Sequence, residues 1–200
     1  MSFPVKARHF WPLLLGLILA DCSSKRLAQE HLALDARPRE VVGEIVRFTL
    51  AYNPGAALNL SLGPYSRVGF TLLALLAVVV LLRLYRSAAP DERWRPVGLA
   101  LVAGGALGNA LDRLRSPLGV VDFIDIGFGG TRFYTFNVAD VGITVGVLIL
   151  AVVTLHLPDP DPDHLPAPRW PARPPRPSRP SRPGSRTGSR TGAKRRPSLS

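Results

Sequence analysis

Long uncharged runs constrain this chain more than any other feature. No charged side chain occurs from Val68 to Leu82, from Pro96 to Leu111 or from Val141 to Pro158, and a shorter apolar run, Phe10 to Ala20, ends at Asp21. A helix needs about 20 predominantly apolar residues to cross a bilayer core, so with their flanks all four runs are candidate spans. The fold class expected is an α-helical membrane protein with four transmembrane helices. The first run carries Asp21 and Lys25 in or beside it. They stand at i,i+4 with the acid first, the favourable order for a helical ion pair, which lowers the cost of placing both near lipid.

Two of the runs end in a polar pattern. Asn109-Ala-Leu-Asp112-Arg113 closes the third, and Asn137-Val-Ala-Asp140 opens the fourth. Three residues apart on a helix, an amide and a carboxylate share one face. A further acid, Asp122, lies in the connector between them. Ionisable groups at membrane depth are costly unless paired or functional, so converging carboxylates point to acid–base chemistry on water. From spacing alone the pair would be Asp112 with Asp140.

Charge and composition divide the chain at residue 157. The net charge of +11 is concentrated after that point, where Pro158–Ser200 holds ten Lys/Arg and three Asp. This tail repeats Pro, Arg, Ser and Gly with almost nothing to bury, which predicts disorder with polyproline II character. The expected organisation is a four-span domain over 1–157 and a solvated Arg/Pro-rich cytoplasmic tail over 158–200. No nucleic-acid partner is expected. The single cysteine, Cys22, rules out an internal disulfide. The histidines, His9, His31, His156 and His164, are scattered without metal-ligand spacing. Neither a metal nor a cofactor is expected.

Basic density orients the spans. Lys6 and Arg8 precede the first, and Arg83, Arg86, Arg93 and Arg95 crowd the short loop between the second and third. The positive-inside rule then puts both termini in the cytoplasm and the acids at the outer face. Trp11 and Trp94 read as interfacial anchors, and Asp125 as a solvent-exposed acid. The first outer connector, His31 to Ser66, contains EIVRFTLAY, an NPG turn and AALNLSL, which reads as a small hairpin on the membrane surface. The second holds a short strand or helix around Val120–Ile126 and a Gly-Gly turn.

Four blocks now stand in order between the spans: NPGAAL at 53–58, GGALGNALDR at 104–113, VVDF at 120–123 and FNVAD at 136–140. Over about residues 10–157 the chain resembles the lipoprotein signal peptidases (signal peptidase II), bacterial aspartic peptidases of the inner membrane. The resemblance implies a catalytic dyad of Asp122 and Asp140 and overrules the choice made from spacing. Asp112 and Arg113 become supports for the outer end of the third span. Asn53, Gly55, Asn109, Asn137 and the Asp21–Lys25 region match positions that shape the site or substrate groove. The implied substrate is a diacylglyceryl-modified prolipoprotein cut just before its lipidated cysteine, by a monomeric enzyme surrounded by membrane lipid. Departures are Cys22 where Gln is frequent, Leu58 where an aromatic is usual, and Val141 where a small polar residue is common.

Two close carboxylates cannot both ionise easily, so one keeps a proton. The ionised member then acts as base on water while the other polarises the scissile carbonyl. Other readings compete. A small transporter or channel subunit could use the acids as an ion path, but matching broken helices and an internal repeat are missing. The LILADC stretch looks like a lipidation signal ending at Cys22, yet Asp21 is not the small residue required there. Asn and Asp at span ends could also act only as caps or interhelical glue.

Overall fold

A computed structural model describes residues 4–33, 37–55, 62–128 and 131–156. Four helices, α1 (Val5–Leu32), α2 (Ser66–Ser87), α3 (Trp94–Arg115) and α4 (Val138–His156), carry a small antiparallel sheet. Its strands are β1 (Arg39–Val42), β2 (Val46–Asn53), β3 (Val120–Phe128) and β4 (Thr131–Arg132), ordered β1-β2-β3-β4.

The apolar runs build the helices in two different ways. α2, with the turn at Gly63–Tyr65, and α4 each reach a mean hydropathy of 2.4 over a window long enough to cross a membrane. Both expose Val and Leu on most sides, Leu72, Leu76 and Val79 on α2 and Val145, Leu148 and Val152 on α4 among them. α1 and α3 are more polar because their polar groups point inward. On α1 the buried residues Leu14, Asp21, Lys25, Ala28 and Leu32 follow the helical period, while Leu13, Leu15 and Leu19 face outward.

α3 is the centre of the bundle and packs on all three other helices. Its buried face is largely Gly and Ala, from Gly98 to Ala110, which lets neighbouring backbones approach closely. A Cβ on Gly105 would run into the carbonyl oxygen of Ala139 on α4, and one on Gly108 would stand 2.5 Å from Asp21 Oδ2. Gly105→Ala is therefore expected to force α3 and α4 apart and cost about 1–3 kcal/mol, read as a lower thermal midpoint in detergent.

At the end of the bundle away from the sheet, Phe10 stacks on Tyr85 with centroids 4.0 Å apart, and Lys6 Nζ donates to Ala88 O at 2.6 Å. At the other end, Phe123 of β3 packs with Ala28 and Leu32 of α1, beside Leu50 and Val138. That contact seats the sheet over the end of α1 and the start of α4.

Two expectations change here. The sheet extends upstream, beyond the segment expected to form it: β2 pairs with β1 and, on its other edge, with β3. The AALNLSL segment expected to follow β2 in the hairpin lies, over residues 56–61 and with Leu58, outside the described residues. Asp125 is not solvent-exposed either. Arg132 reaches back across the β3–β4 turn and contacts it through Nη2 at 2.9 Å and Nε at 3.0 Å. The Gly-Gly turn at 129–130 and the tail, residues 157–200, also lie outside the described residues.

Candidate active site

Asn137 is the N-cap of α4, and it forms a reciprocal box with Asp140. Asp140 N–H donates to Asn137 Oδ1 at 3.0 Å, and Asn137 N–H donates to Asp140 Oδ2 at 3.2 Å. Two backbone groups at the helix start are thereby satisfied. A third, the Ala139 N–H, donates at 2.9 Å to Asp21 Oδ1, which arrives from α1 fully buried. The start of α4 is thus fastened both by its own sequence and by α1.

Lys25 joins the elements together. Its ammonium lies 2.7 Å from Asp21 Oδ2 as an ion pair, 2.9 Å from Asp112 Oδ2, and donates to Asn109 Oδ1 at 2.9 Å. Asp112 Oδ2 also accepts the Val121 N–H at 3.2 Å, tying β3 to α3 immediately before Asp122. Arg113 donates to Gly55 O at 2.7 Å and to Asn109 O at 3.2 Å, so the Asn53–Gly55 turn is held against α3. Asn53 Oδ1 accepts the Gly55 N–H at 3.0 Å within that turn.

Asp122 and Asp140 meet through amides. Asn137 Nδ2 donates to Asp122 Oδ1 at 2.6 Å and to Asn109 Oδ1 at 3.1 Å, and Asn109 Nδ2 donates to Asp140 Oδ1 at 2.8 Å. Asp122 is 4 % exposed on β3. Burial, followed by the nearby Asp140 carboxylate, pushes its carboxyl up to about 6 from an ordinary 3.8, against opposing hydrogen bonds from Asn137 and Asn53 and the charge of Lys25.

Both carboxylates open on one groove of about 890 Å³ between α2, α3, α4 and the sheet. Its walls are mostly apolar, with Phe70 and Leu73 from α2, Ile143 from α4 and the Phe133–Phe136 segment. Every anticipated site residue belongs to this one end of the fold, but they divide by side. Asn53, Asn109, Arg113, Asp122 and Asp140 line the groove, and Val141 is on its wall. Lys25 and Asp112 line a smaller polar cavity of about 410 Å³ at the α1–α3 seam, where Cys22 also lies. The α2 wall and the aromatic segment were not anticipated. FYTF at 133–136 was the available signal, an aromatic cluster with no strand or helix of its own to fill.

A groove with mostly apolar walls and two carboxylates in its lining, on a helical membrane fold, is the layout of a membrane aspartic peptidase. The chain belongs to the signal peptidase II family. The family profile described as signal peptidase (SPase) II matches residues 13–156. A lipoprotein signal peptidase of Coxiella burnetii (strain Dugway 5J108-111) is 37% identical over 163 residues, which is 78% of this chain and 98% of that protein. One from Rhodococcus jostii (strain RHA1) is 37% identical over 155 residues, 74% of each chain. A solved structure of a bacterial membrane enzyme superposes with a TM-score of 0.64 at 26% identity, covering 72% of this chain and 85% of that one.

Proposed function

We propose that Asp122 and Asp140 are the pair with which this signal peptidase cuts the signal peptide from a prolipoprotein. The observation that carries the reading is that both line one mostly apolar groove. A water between them would lose its proton to the ionised carboxylate and attack the scissile carbonyl, while the protonated carboxyl donates to the carbonyl oxygen. The proton taken from water then serves the departing amine. Asn109 and Asn137 hold both carboxylates in register, and Lys25, Asp112 and Arg113 fix the elements that carry them.

The groove walls bear on the substrate. Leu73, Phe70 and Ile143 line a surface suited to the apolar part of a signal peptide and to acyl chains. This supports a diacylglyceryl-modified prolipoprotein cleaved just before the lipidated cysteine. The purified enzyme is expected to cleave a lipidated precursor peptide and leave its unlipidated counterpart intact; equal cleavage of both would remove lipid from the recognition. Cleavage of neither, by folded enzyme, would count against the groove as the substrate site.

We further read all four helices as spanning, with the sheet on the outer surface. α1 and α3 cross as inner helices whose charges pair with each other rather than face lipid. Lys6, Arg86 and Arg93 sit at the end of the bundle opposite the acids, which supports cytoplasmic termini. Residues 158–200 form a separate tail in this reading. Truncation after Leu157 should preserve insertion and activity, and a reporter that works only outside the cytoplasm should be inactive when fused after Ser200. An active reporter would reverse the orientation.

A further inference from the structure

The two carboxylates of the groove are not equivalent in their surroundings. Asn109 Oδ1 accepts from two donors, Lys25 Nζ at 2.9 Å and Asn137 Nδ2 at 3.1 Å. An ammonium can only donate, so the orientation of this amide is fixed and its NH2 must face Asp140 Oδ1, 2.8 Å away. The other oxygen of Asp140 accepts a backbone N–H, that of Asn137. Both Asp140 oxygens therefore face donors, at the third residue of a helix whose dipole favours negative charge there. Donors on both oxygens favour its ionised form.

Asp122 lacks these advantages. It lies on a strand rather than at a helix start, it is 4 % exposed while Asp140 is half-buried, and its hydrogen-bond donors are side-chain amides. The charged groups around the pair come from several elements: Asp21 and Lys25 on α1, Asp112 and Arg113 on α3. Lys25 is engaged by Asp21 and Asp112, and it reaches the pair through the amide of Asn109.

We propose that Asn109, locked by Lys25 and Asn137, is a positioning residue that leaves the shared proton on Asp122 and makes Asp140 the base toward water. This rests on the dyad reading above and assigns the two roles within it. Asp140 takes the proton from water as the carbon–oxygen bond forms. Asp122 gives its proton to the carbonyl oxygen; as the carbon–nitrogen bond breaks, the proton gained by Asp140 passes to the amine and the re-forming carbonyl returns a proton to Asp122. The elevated value of Asp122 agrees with the assignment.

Infrared spectroscopy of the full-length protein, ¹³C-labelled at the aspartate carboxyls, tests it directly. Spectra taken from about pH 5 to about pH 7 bracket the value of about 6 for Asp122. The protonated-carboxyl band titrating in this range should disappear in Asp122→Asn and persist in Asp140→Asn, with its midpoint moved down by loss of the neighbouring charge. The reverse pattern, loss in both or persistence in both would overturn the assignment. Asn109→Leu, added to Asp122→Asn, should shift the carboxylate stretching band of Asp140 by removing the amide that donates to it; a folded double variant with that band unmoved would overturn the role of Asn109. Cleavage assays separate this from the reading beneath it. If either single variant still cleaves, the dyad itself falls, whereas two inactive variants with a reversed band pattern overturn only the division of roles.

Discussion

Asp122→Asn and Asp140→Asn are each expected to abolish cleavage, by about 10³-fold or more, while protein accumulates in the membrane at normal levels. Each keeps the size of the side chain and much of its hydrogen bonding but removes the one-proton, two-carboxylate unit that the reaction needs. The double variant should be no worse than either single one, because the unit is already disabled. Activity per folded protein is the quantity to measure. Asp112→Asn should behave differently, weakening the Lys25 contact and the hold on Val121 N–H and so lowering stability before chemistry. Inactive but well-folded Asp112→Asn protein, beside active Asp122→Asn protein, would hand the role back to the two acids of the Asn-x-x-Asp patterns.

The same substitution has a signature in stability. A folded-state value of about 6 for Asp122 against 3.8 unfolded means that the folded protein holds this proton more tightly. Its contribution is fully favourable below about pH 3.8 and declines as pH rises through about 6, where the buried group ionises. Where the group is ionised, its burial and the neighbouring Asp140 carboxylate both work against the fold. Asp122→Asn removes the charge and should raise the thermal midpoint at neutral pH, with little gain at acid pH. An inactive variant that is more stable than the parent marks a site whose chemistry opposes its fold.

Much of this site was legible because its residues occur in short blocks at helix ends. Asn137 and Asp140 were expected to share a helical face; they do, and they also cap α4 together, a dual use that the Asn-x-x-Asp spacing permits. Asn109 and Asp112 have the same spacing, yet the acid turns to α1 and β3 while only the amide faces Asp140. The difference depends on Lys25, 84 residues from Asn109, and no local pattern reveals it. Spacing alone therefore chose the wrong acid for the groove, and Asp122 stood out only through its VVDF block. The partners of β2 were missed for a similar reason. VRFTLAYN has strand composition on either reading, and its partners are set by the long-range pairing with β3. The groove wall on α2 was hidden because its Leu and Ala residues look the same in sequence whether they face lipid or substrate.

Lys25→Met should be the most damaging change outside the carboxylate pair. Lys25 is 2 % exposed and contacts two acids at once, Asp21 at 2.7 Å and Asp112 at 2.9 Å. Methionine fills nearly the same volume, so packing is largely kept and the effect isolates charge. Removing one partner of a buried ion pair typically costs about 3–5 kcal/mol, because the remaining charge has neither water nor a counter-ion. Here two acids are left, one of which also holds the Ala139 N–H at the start of α4 and the other the Val121 N–H before Asp122. Folded protein recovered from membranes should fall steeply, and the thermal midpoint of what remains should drop on the order of 10 °C. Adding Asp21→Asn and Asp112→Asn to Lys25→Met removes the stranded charges and should recover part of that loss, since amides can stay hydrogen-bonded where carboxylates cannot stay ionised. Cleavage should recover less than folding does, because Asn109 would still lack the ammonium that orients its amide toward Asp140. If Lys25→Met alone folded and cleaved normally, the buried network would not be what holds the site together.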